Sequence, residues 1–514
     1  MYDLSLILGI IFIISLLFSF LSLNSKMSAM ELVNNMGIGW NMGNTFDCYS
    51  PFEEIINPND SITLWGNSIP TKDLIINIKK YGIKTIRLPI TWMNFMDKYN
   101  KVNIEWISKI QEIVEWIINL NMYCIINIHH DGSPGNWLSE GIVAKNKYIF
   151  LWTQISNKFK DYNEQLIFES MNDIEFLSGD NYDFKTLFDF NQAFVNIIRN
   201  SGGNNFYRLL IISGMNKEIP LTCSQGYKIP IDPANKLAVS IHYHVPSQFC
   251  LEPDDNPWTW TDDIGEVHIV EPMTTWGKEN DYNDMISYFE TIKETFLDKG
   301  IPVIITEVST LTEQKKDPSS IREFLHAHFS MVSDYKGIMS CLWDVSNKKM
   351  GESNFYDREN NKWYDEEIGK MFKKISRGKY VKPTEFYYIT NSQTETKLSP
   401  QGYLNINIGK QKVNRVIFNV KISENPSYVG FGIASNDNNE NWVGEIVRGE
   451  IGKKQYDGTF SFEVDISNKD YNDFIEIQIW WGFEYIISVN YLTVEYKENR
   501  LCIDYKSYKK ALSY

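Results

Sequence analysis

Between residues 36 and 376 the chain repeats one pattern eight times, a short apolar run followed by an amphipathic stretch. The runs are 36–42, 85–90, 123–129, 166–172, 209–213, 237–244, 302–308 and 338–344. Their near-continuous Ile, Leu and Val content suits strands buried on both faces of a parallel sheet. The intervening stretches have helical period: Ile107, Ile110, Val114 and Ile117 fall on one face, as do Ile321, Phe324, Leu325 and Phe329. Strand and helix alternating eight times predicts an α/β fold, a (β/α)8 TIM barrel over residues 30–378. A chain of 514 residues leaves room for more than that barrel.

Beyond Pro383 the period changes. Residues 390–498 show apolar-polar alternation, as in 413–420, 460–466 and 475–481, separated by Gly, Asn and Asp turns, which predicts a small antiparallel β-sandwich. Within 475–481, Ile475, Ile477, Ile479 and Trp481 share one face while Glu476, Gln478 and Trp480 share the other. Trp480 is then either a carbohydrate platform, making this a carbohydrate-binding module, or a packing residue. Residues 499–514 have no period and stay unassigned. At the other end, residues 4–23 are almost wholly apolar and precede Asn24-Ser25-Lys26. That run predicts export, with residues 1–29 as a cleaved signal peptide or a retained membrane anchor. The protein is expected outside the cell or at its surface.

A net charge of -15 argues against nucleic acid or an anionic membrane surface as partner and suits a neutral ligand. The chain is expected to act as a monomer. Six cysteines do not make a disulfide framework in a chain of this size. Cys124 and Cys341 sit in apolar runs and read as buried thiols, whereas Cys223 and Cys250 flank a long loop and could pair. There is no CxxC and no His-Cys cluster for a structural zinc.

In such a barrel the functional groups stand at the carboxyl ends of the strands. Those ends read Asn41 and Asn44, Arg87, His129 and His130, Asn172 and Asp173, His242 and His244, Glu307, and Trp343. Carboxylates on the fourth and seventh strands are the pair that glycoside hydrolysis requires, one as acid and one as nucleophile.

With these residues in hand, the chain resembles glycoside hydrolase family 5, in particular its endo-β-1,4-glucanases. The resemblance rests on Gly37-Ile-Gly-Trp-Asn-Met-Gly-Asn44, Arg87-Leu-Pro-Ile90, Ile128-His-His-Asp131, Phe168-Glu-Ser-Met-Asn172, Ile241-His-Tyr-His244 and Leu342-Trp-Asp344. It implies a β-1,4-glucan substrate such as cellulose, a retaining double displacement, and neither metal nor cofactor. Carried over by position, it implies Glu307 as nucleophile, Arg87 as the cation that keeps it ionised, and Asn172 as partner of the sugar 2-hydroxyl. One of His129 and His130, with His242, would line the cleft, because strand alternation lets only one of an adjacent pair face inward. Trp343 would lie under the sugar ring.

Three positions depart from the family's pattern. Where its acid/base Glu belongs, this chain has Asp173, whose carboxyl is set back by about 1.5 Å, one C–C bond. The Tyr two residues after the sixth-strand His is His244, and Tyr243 cannot substitute because it faces the other way. Thr306 precedes the nucleophile where Gly is usual, and Val308 and Ser309 follow where an aromatic and Gly are usual. The resemblance thus implies a weakened or retuned enzyme. The competing reading is a catalytically impaired glycan-binding protein on the same scaffold, and mannan or xyloglucan stays open as the substrate.

Other polar groups have plainer readings. Glu169 and Asp131 are expected in structural ion pairs, and Glu175 is a loop carboxylate that could reach back as a substitute acid. His326 and His328, two apart on a helix, are expected to be packing or surface residues. In the loop between strands six and seven, Trp258, Trp260 and Trp276 either fold the loop or wall a sugar subsite.

Overall fold

The computed structural model describes residues 27–380, apart from 51–56, 134, 175–181, 252–257, 262–266, 271–272, 278, 313–315 and 347–351, together with the strands between 401 and 503. The chain forms two compact units. One comprises Met1–His244, Thr291–Ser309 and Tyr335–Glu366, the other Val245–Glu290, Thr310–Asp334 and Glu367–Tyr514.

The first unit holds a complete closed barrel. Its strands are β1 (Ile38–Asn41), β2 (Ile83–Leu88), β3 (Tyr123–Ile126), β4 (Leu166–Glu169), β5 (Leu210–Ser213), β6 (Leu237–Tyr243), β7 (Val303–Val308) and β8 (Ile338–Leu342). Every neighbouring pair is parallel, and β1 closes the ring by pairing with β8. Nearly every strand residue is buried, which is why the runs read as continuous rather than alternating hydrophobicity. Helix Ile104–Asn119, capped by the side chain of Asn103, buries Ile107, Ile110, Val114 and Ile117 as its period predicts.

A helix ahead of the barrel, Ala29–Met36, opens with a capping box in which Ser28 and Glu31 satisfy each other's backbone N–H groups. Its apolar face, Ala29, Leu32, Val33 and Met36, packs with Ile125, Ile167, Ile211, Ala238, Ile304 and Met339. Asn34 Oδ1 accepts from Gly337 N just before β8, and Thr85 Oγ1 donates to Met36 O, so this helix stoppers the amino-terminal end of the barrel.

Four strands, β2, β3, β4 and β8, stop two or three residues before their apolar runs do. The chain continues the ladder beyond them: Met42 N donates to Arg87 O, His129 N to Ile90 O, Asn172 N to Ile128 O, and Trp343 N to Val308 O. Apolar side chains are therefore needed past the strand ends, and Ile90, Ile128 and Met171 are all fully buried. Hydrophobicity marks burial there rather than strand.

In the second unit, helix Pro318–Asp334 buries Ile321, Phe324, Leu325 and Phe329. His328 is fully buried among Phe289, Phe324 and Phe329, which makes it a packing residue. Trp276 is buried against Tyr282 and Phe324, so it folds its own segment. Trp258–Thr261 pairs with Val267–Val270 as a two-stranded ribbon, and the side chains of Trp258 and Trp260 lie outside the description. Residues 401–503 form two antiparallel sheets of four and five strands. Trp480 stands in the strand Phe474–Phe483, opposite Tyr403 and Gly432 in register. The stretch left unassigned by periodicity contains one more strand, Asn499–Ile503, paired with Ile486–Tyr496. An edge strand is held by backbone bonds, and five residues are too few to display a period.

The pairing left open for Cys223 and Cys250 is not made, since both are free thiols. Cys250 is fully buried at the end of helix Ser247–Cys250, where it packs as a small apolar group. Cys124 and Cys341 are buried free thiols, as expected. Among the described residues no helix is long and apolar enough to cross a membrane; the apolar run 4–23 lies outside them.

Candidate active site

Arg87, near the carboxyl end of β2, organises the site. It is fully buried and spends all five of its N–H donors. Nε and Nη2 donate to the two oxygens of Glu169 at 2.6 and 3.1 Å. Nη1 donates to Glu307 Oε1 at 2.8 Å and Asn41 Oδ1 at 2.9 Å, and Nη2 also donates to Asn172 Oδ1 at 2.7 Å. One guanidinium thus fixes residues from β1, β4 and β7 relative to one another, a task its rigid fork performs and an ammonium cannot. Asn41 is itself pinned, with Nδ2 donating to the backbone oxygens of Thr306, Cys341 and Leu342.

The two carboxylates on Arg87 differ in access. Glu169 is completely buried and receives a second cation, Lys217 Nζ, at 2.9 Å. It is the structural ion-paired residue the sequence suggested, and Lys217 is the partner the sequence did not suggest. Burial pushes the Glu169 carboxyl up, but Arg87 and Lys217 outweigh this and hold it below the usual carboxylate range. Lys217 is reached through a strained turn: Asn216 and Lys217 have φ of 47° and 55°. Its ammonium also donates to Ser240 Oγ. The only sequence signal for it is a lysine four residues past the apolar run 209–213.

Glu307 keeps 8% of its surface accessible, whereas Glu169 keeps none. His242 Nε2 lies 3.6 Å from its Oε1 and His244 Nε2 lies 3.8 Å from its Oε2. Tyr243, between them, is buried on the opposite face, as strand alternation requires. Burial pushes Glu307 up, yet His242, His244, Arg87 and His129 together hold it well below the ordinary carboxylate range. Burial also drives His242 down to about 3, so that ring is neutral at pH 7 and Arg87 is the lasting positive charge on Glu307. Thr306, where Gly is usual, fits because its Oγ1 bonds Ile241 O inside the wall.

Asn172 and Asp173 follow β4. With Oδ1 committed to Arg87, Asn172 has its NH2 group to offer a ligand. Asp173 is partly accessible and interacts electrostatically with Lys217. Glu175 lies outside the described residues.

The expectation that only one of His129 and His130 serves the cleft fails, because β3 ends at Ile126 and both rings sit beyond strand alternation. They meet edge to face at 4.5 Å. Asn127 Nδ2 faces His129 Nδ1 at 3.2 Å while also donating to Glu169, so His129 accepts there and carries its proton on Nε2. Burial holds His129 well below its ordinary value and therefore neutral. Its ring stacks parallel to the half-buried indole of Trp343 at 5.6 Å. Gly43 permits that position, since a Cβ there would come within 3.0 Å of the indole. His130 packs with Tyr49 and Trp65, both partly exposed, which adds an aromatic wall the sequence analysis missed. Asp131 is hydrogen-bonded, not ion-paired: it accepts from Trp92 N and Trp137 Nε1.

Among the described residues, two groups of side chains bring three potential metal ligands within 4.8 Å of one another: Asp47 with His129 and His130, and His242 with His244 and Glu307. Together these residues offer an ionised carboxylate, a partly accessible carboxyl, neutral imidazoles and flat aromatic faces.

Comparison with known proteins finds relatives among endoglucanases. Endoglucanase A of Clostridium longisporum is 31% identical over 359 residues, which cover 67% of this chain and 65% of that relative's own length. Among solved structures, a broad-specificity endoglucanase from an uncultured bovine rumen ciliate is 56% identical with a TM-score of 0.66, covering 69% of this chain and 99% of that one. A lichenase from Caldicellulosiruptor sp. F32 is 28% identical with a TM-score of 0.61, covering 68% of this chain and 96% of that one. The family model for cellulase matches residues 46–349, and the chain belongs to glycosyl hydrolase family 5.

Proposed function

We propose that the protein is an endo-acting glycosidase that cleaves β-1,4-linked glucan with retention of configuration, using Glu307 as nucleophile and Asp173 as acid/base. The observation that carries the reading is the state of Glu307, ionised by Arg87 and open to the cleft, while the other carboxylate on Arg87 is sealed. Glu307 attacks the anomeric carbon as the glycosidic C–O bond breaks, and Asp173 gives its proton to the departing oxygen. The resulting glycosyl ester is hydrolysed by a water that returns a proton to Asp173. The NH2 of Asn172 meets the 2-hydroxyl, the Nε2–H of His129 donates to a sugar oxygen, and Trp343 supports the ring. His130, His242 and His244 complete the walls. Substrates beyond cellulose are supported by the names of the similar structures, one of broad specificity and one a lichenase. The apolar run 4–23 supports export, followed by cleavage or anchoring, and Trp480 is proposed as a glycan contact of the C-terminal sheets.

The test is turnover of an aryl β-cellobioside with an activated leaving group, beside carboxymethyl-glucan hydrolysis, by wild type, Asp173→Glu and Glu307→Ala. Wild type should cleave the aryl substrate and Glu307→Ala should not. Acid catalysis is worth about 10²–10⁴-fold, and Asp173→Glu should recover part of that on the polysaccharide. Wild type silent on both substrates, with activity appearing in Asp173→Glu, would replace this reading with a glycan-binding protein.

A further inference from the structure

We infer that His242, His244 and Glu307 form a binding site for a zinc-class divalent cation, and that occupancy switches the enzyme off by taking its nucleophile as a ligand. The switching half rests on the reading of Glu307 given above; the binding half does not. His242 and His244 are two apart at the end of β6, so both rings leave the same face and reach Glu307 across the β6–β7 pair. The spacing of these atoms is informative. The distances from Glu307 oxygens to His242 Nε2 and His244 Nε2, 3.6 and 3.8 Å, exceed those of hydrogen bonds. They lie close to the ~3.4 Å edge expected between ligands of a tetrahedral ion held at about 2.0–2.2 Å.

The side chains are also available. Among the described residues, His242 Nε2, the nitrogen that faces Glu307, is buried without a hydrogen-bond partner, and the His242 side chain is only 9% exposed. A buried unsatisfied ring nitrogen is costly and calls for a partner, which a cation supplies. Arg87 takes one lone pair of Glu307 Oε1 and leaves the other, with both of those on Oε2, for the ion. Two imidazoles and one carboxylate suit Zn²⁺ or Cu²⁺ and not Mg²⁺ or Ca²⁺, which prefer oxygen ligands. The group Asp47, His129 and His130 is less suited, because both Asp47 oxygens already accept backbone N–H groups of Asn44 and Thr45.

The experiment is calorimetric titration of the metal-free full chain with Zn²⁺, in wild type, His244→Tyr and His130→Gln, each checked for a native melting transition. Aryl-cellobioside turnover and Zn-edge absorption spectra are read in parallel. One ion should bind wild type with two imidazoles in its coordination shell, and binding should be unchanged in His130→Gln. Losing a ligand should weaken it in His244→Tyr by at least the 10–100-fold typical of losing an outer partner. Inhibition should share the calorimetric midpoint and reverse with a chelator. Absence of binding, equal affinity in His244→Tyr, or loss in His130→Gln overturns the site. Should His244→Tyr fail to fold, His242→Gln takes its place and the spectra alone decide the ligand set. Binding as described without inhibition of an active enzyme leaves the metal site standing and removes Glu307 from the nucleophile's role.

Discussion

Replacing Arg87 with lysine keeps the charge and removes the fork. Arg87 makes five hydrogen bonds to four residues, Asn41, Glu169, Asn172 and Glu307. An ammonium has three donors issuing from one atom. It can stay with Glu169 or approach Glu307, but it cannot serve both and orient the two amides as well. At least two buried acceptors then lose a donor, at about 1–3 kcal/mol each. Breaking a buried ion pair outright costs about 3–5 kcal/mol. With the charge retained, a loss of about 3 kcal/mol is expected, read as a lower urea midpoint at unchanged slope. The second readout is pH. The depressed folded pKa of Glu307 means that the stabilisation from its ionised form is present above the unfolded value and lost as pH falls through the folded one. A weaker cation contact raises that folded value, so the acid limb of the pH–rate profile should move upward in Arg87→Lys. A variant within about 1 kcal/mol of wild type, with an unmoved acid limb, would refute the claim that one guanidinium holds the site together.

Further outcomes follow from other contacts. Lys217→Met should cost about 3 kcal/mol by stripping a cation from sealed Glu169, and Lys217→Met combined with Glu169→Gln should cost less than Lys217→Met alone. His129 and His242 are buried and neutral, with folded values below the unfolded 6.5, so the unfolded chain takes up their protons first. Their contribution is complete above pH 6.5 and falls below it, by at most about 1.4 kcal/mol per pH unit for each ring. Burial lowers His326 as well, to about 4, so urea midpoints between pH 6.5 and 4.5, where the lowered carboxylates still hold, should show the slope of three rings, and His242→Gln should reduce it by about a third. A Cβ on Gly39 would lie 2.3 Å from Cys341 Sγ, so Gly39→Ala should cost about 1–3 kcal/mol. Adding Cys341→Ala should restore part of that stability in a thermal melt.

Much of the barrel could be read from its apolar runs, because parallel strands sealed on both faces leave a continuous hydrophobic trace. Their ends could not, since Ile90, Ile128 and Met171 are as buried as any strand residue yet lie in loops. Strand-end position brought out Arg87, Asn172, His242 and Glu307, which the fold gathers around one guanidinium and its carboxylate. Lys217 escaped notice because it reaches Glu169 only through two residues of positive φ, a geometry that polar side-chain identity does not announce. Tyr49 and Trp65 escaped because their meeting with His130 depends on a loop without period. The alternation argument failed for His129 and His130 because it was applied past the end of the strand, whereas at His242, Tyr243 and His244 it held.

The closure of β1 onto β8 carries a consequence for how the protein is made. Asn41 is held by backbone oxygens of Thr306, Cys341 and Leu342, and Trp40 Nε1 by Asp344 Oδ2, across 265 to 304 residues of sequence. A ribosome releases the chain from one end, so β1 waits for nearly the entire barrel to be synthesised before its partner exists. Until then β1 and the newest strand present unpaired edges, open to pairing with other nascent chains. The residue that positions Arg87 lies on that last joint, so a chain stopped short of β8 would lack part of its centre as well as its closure.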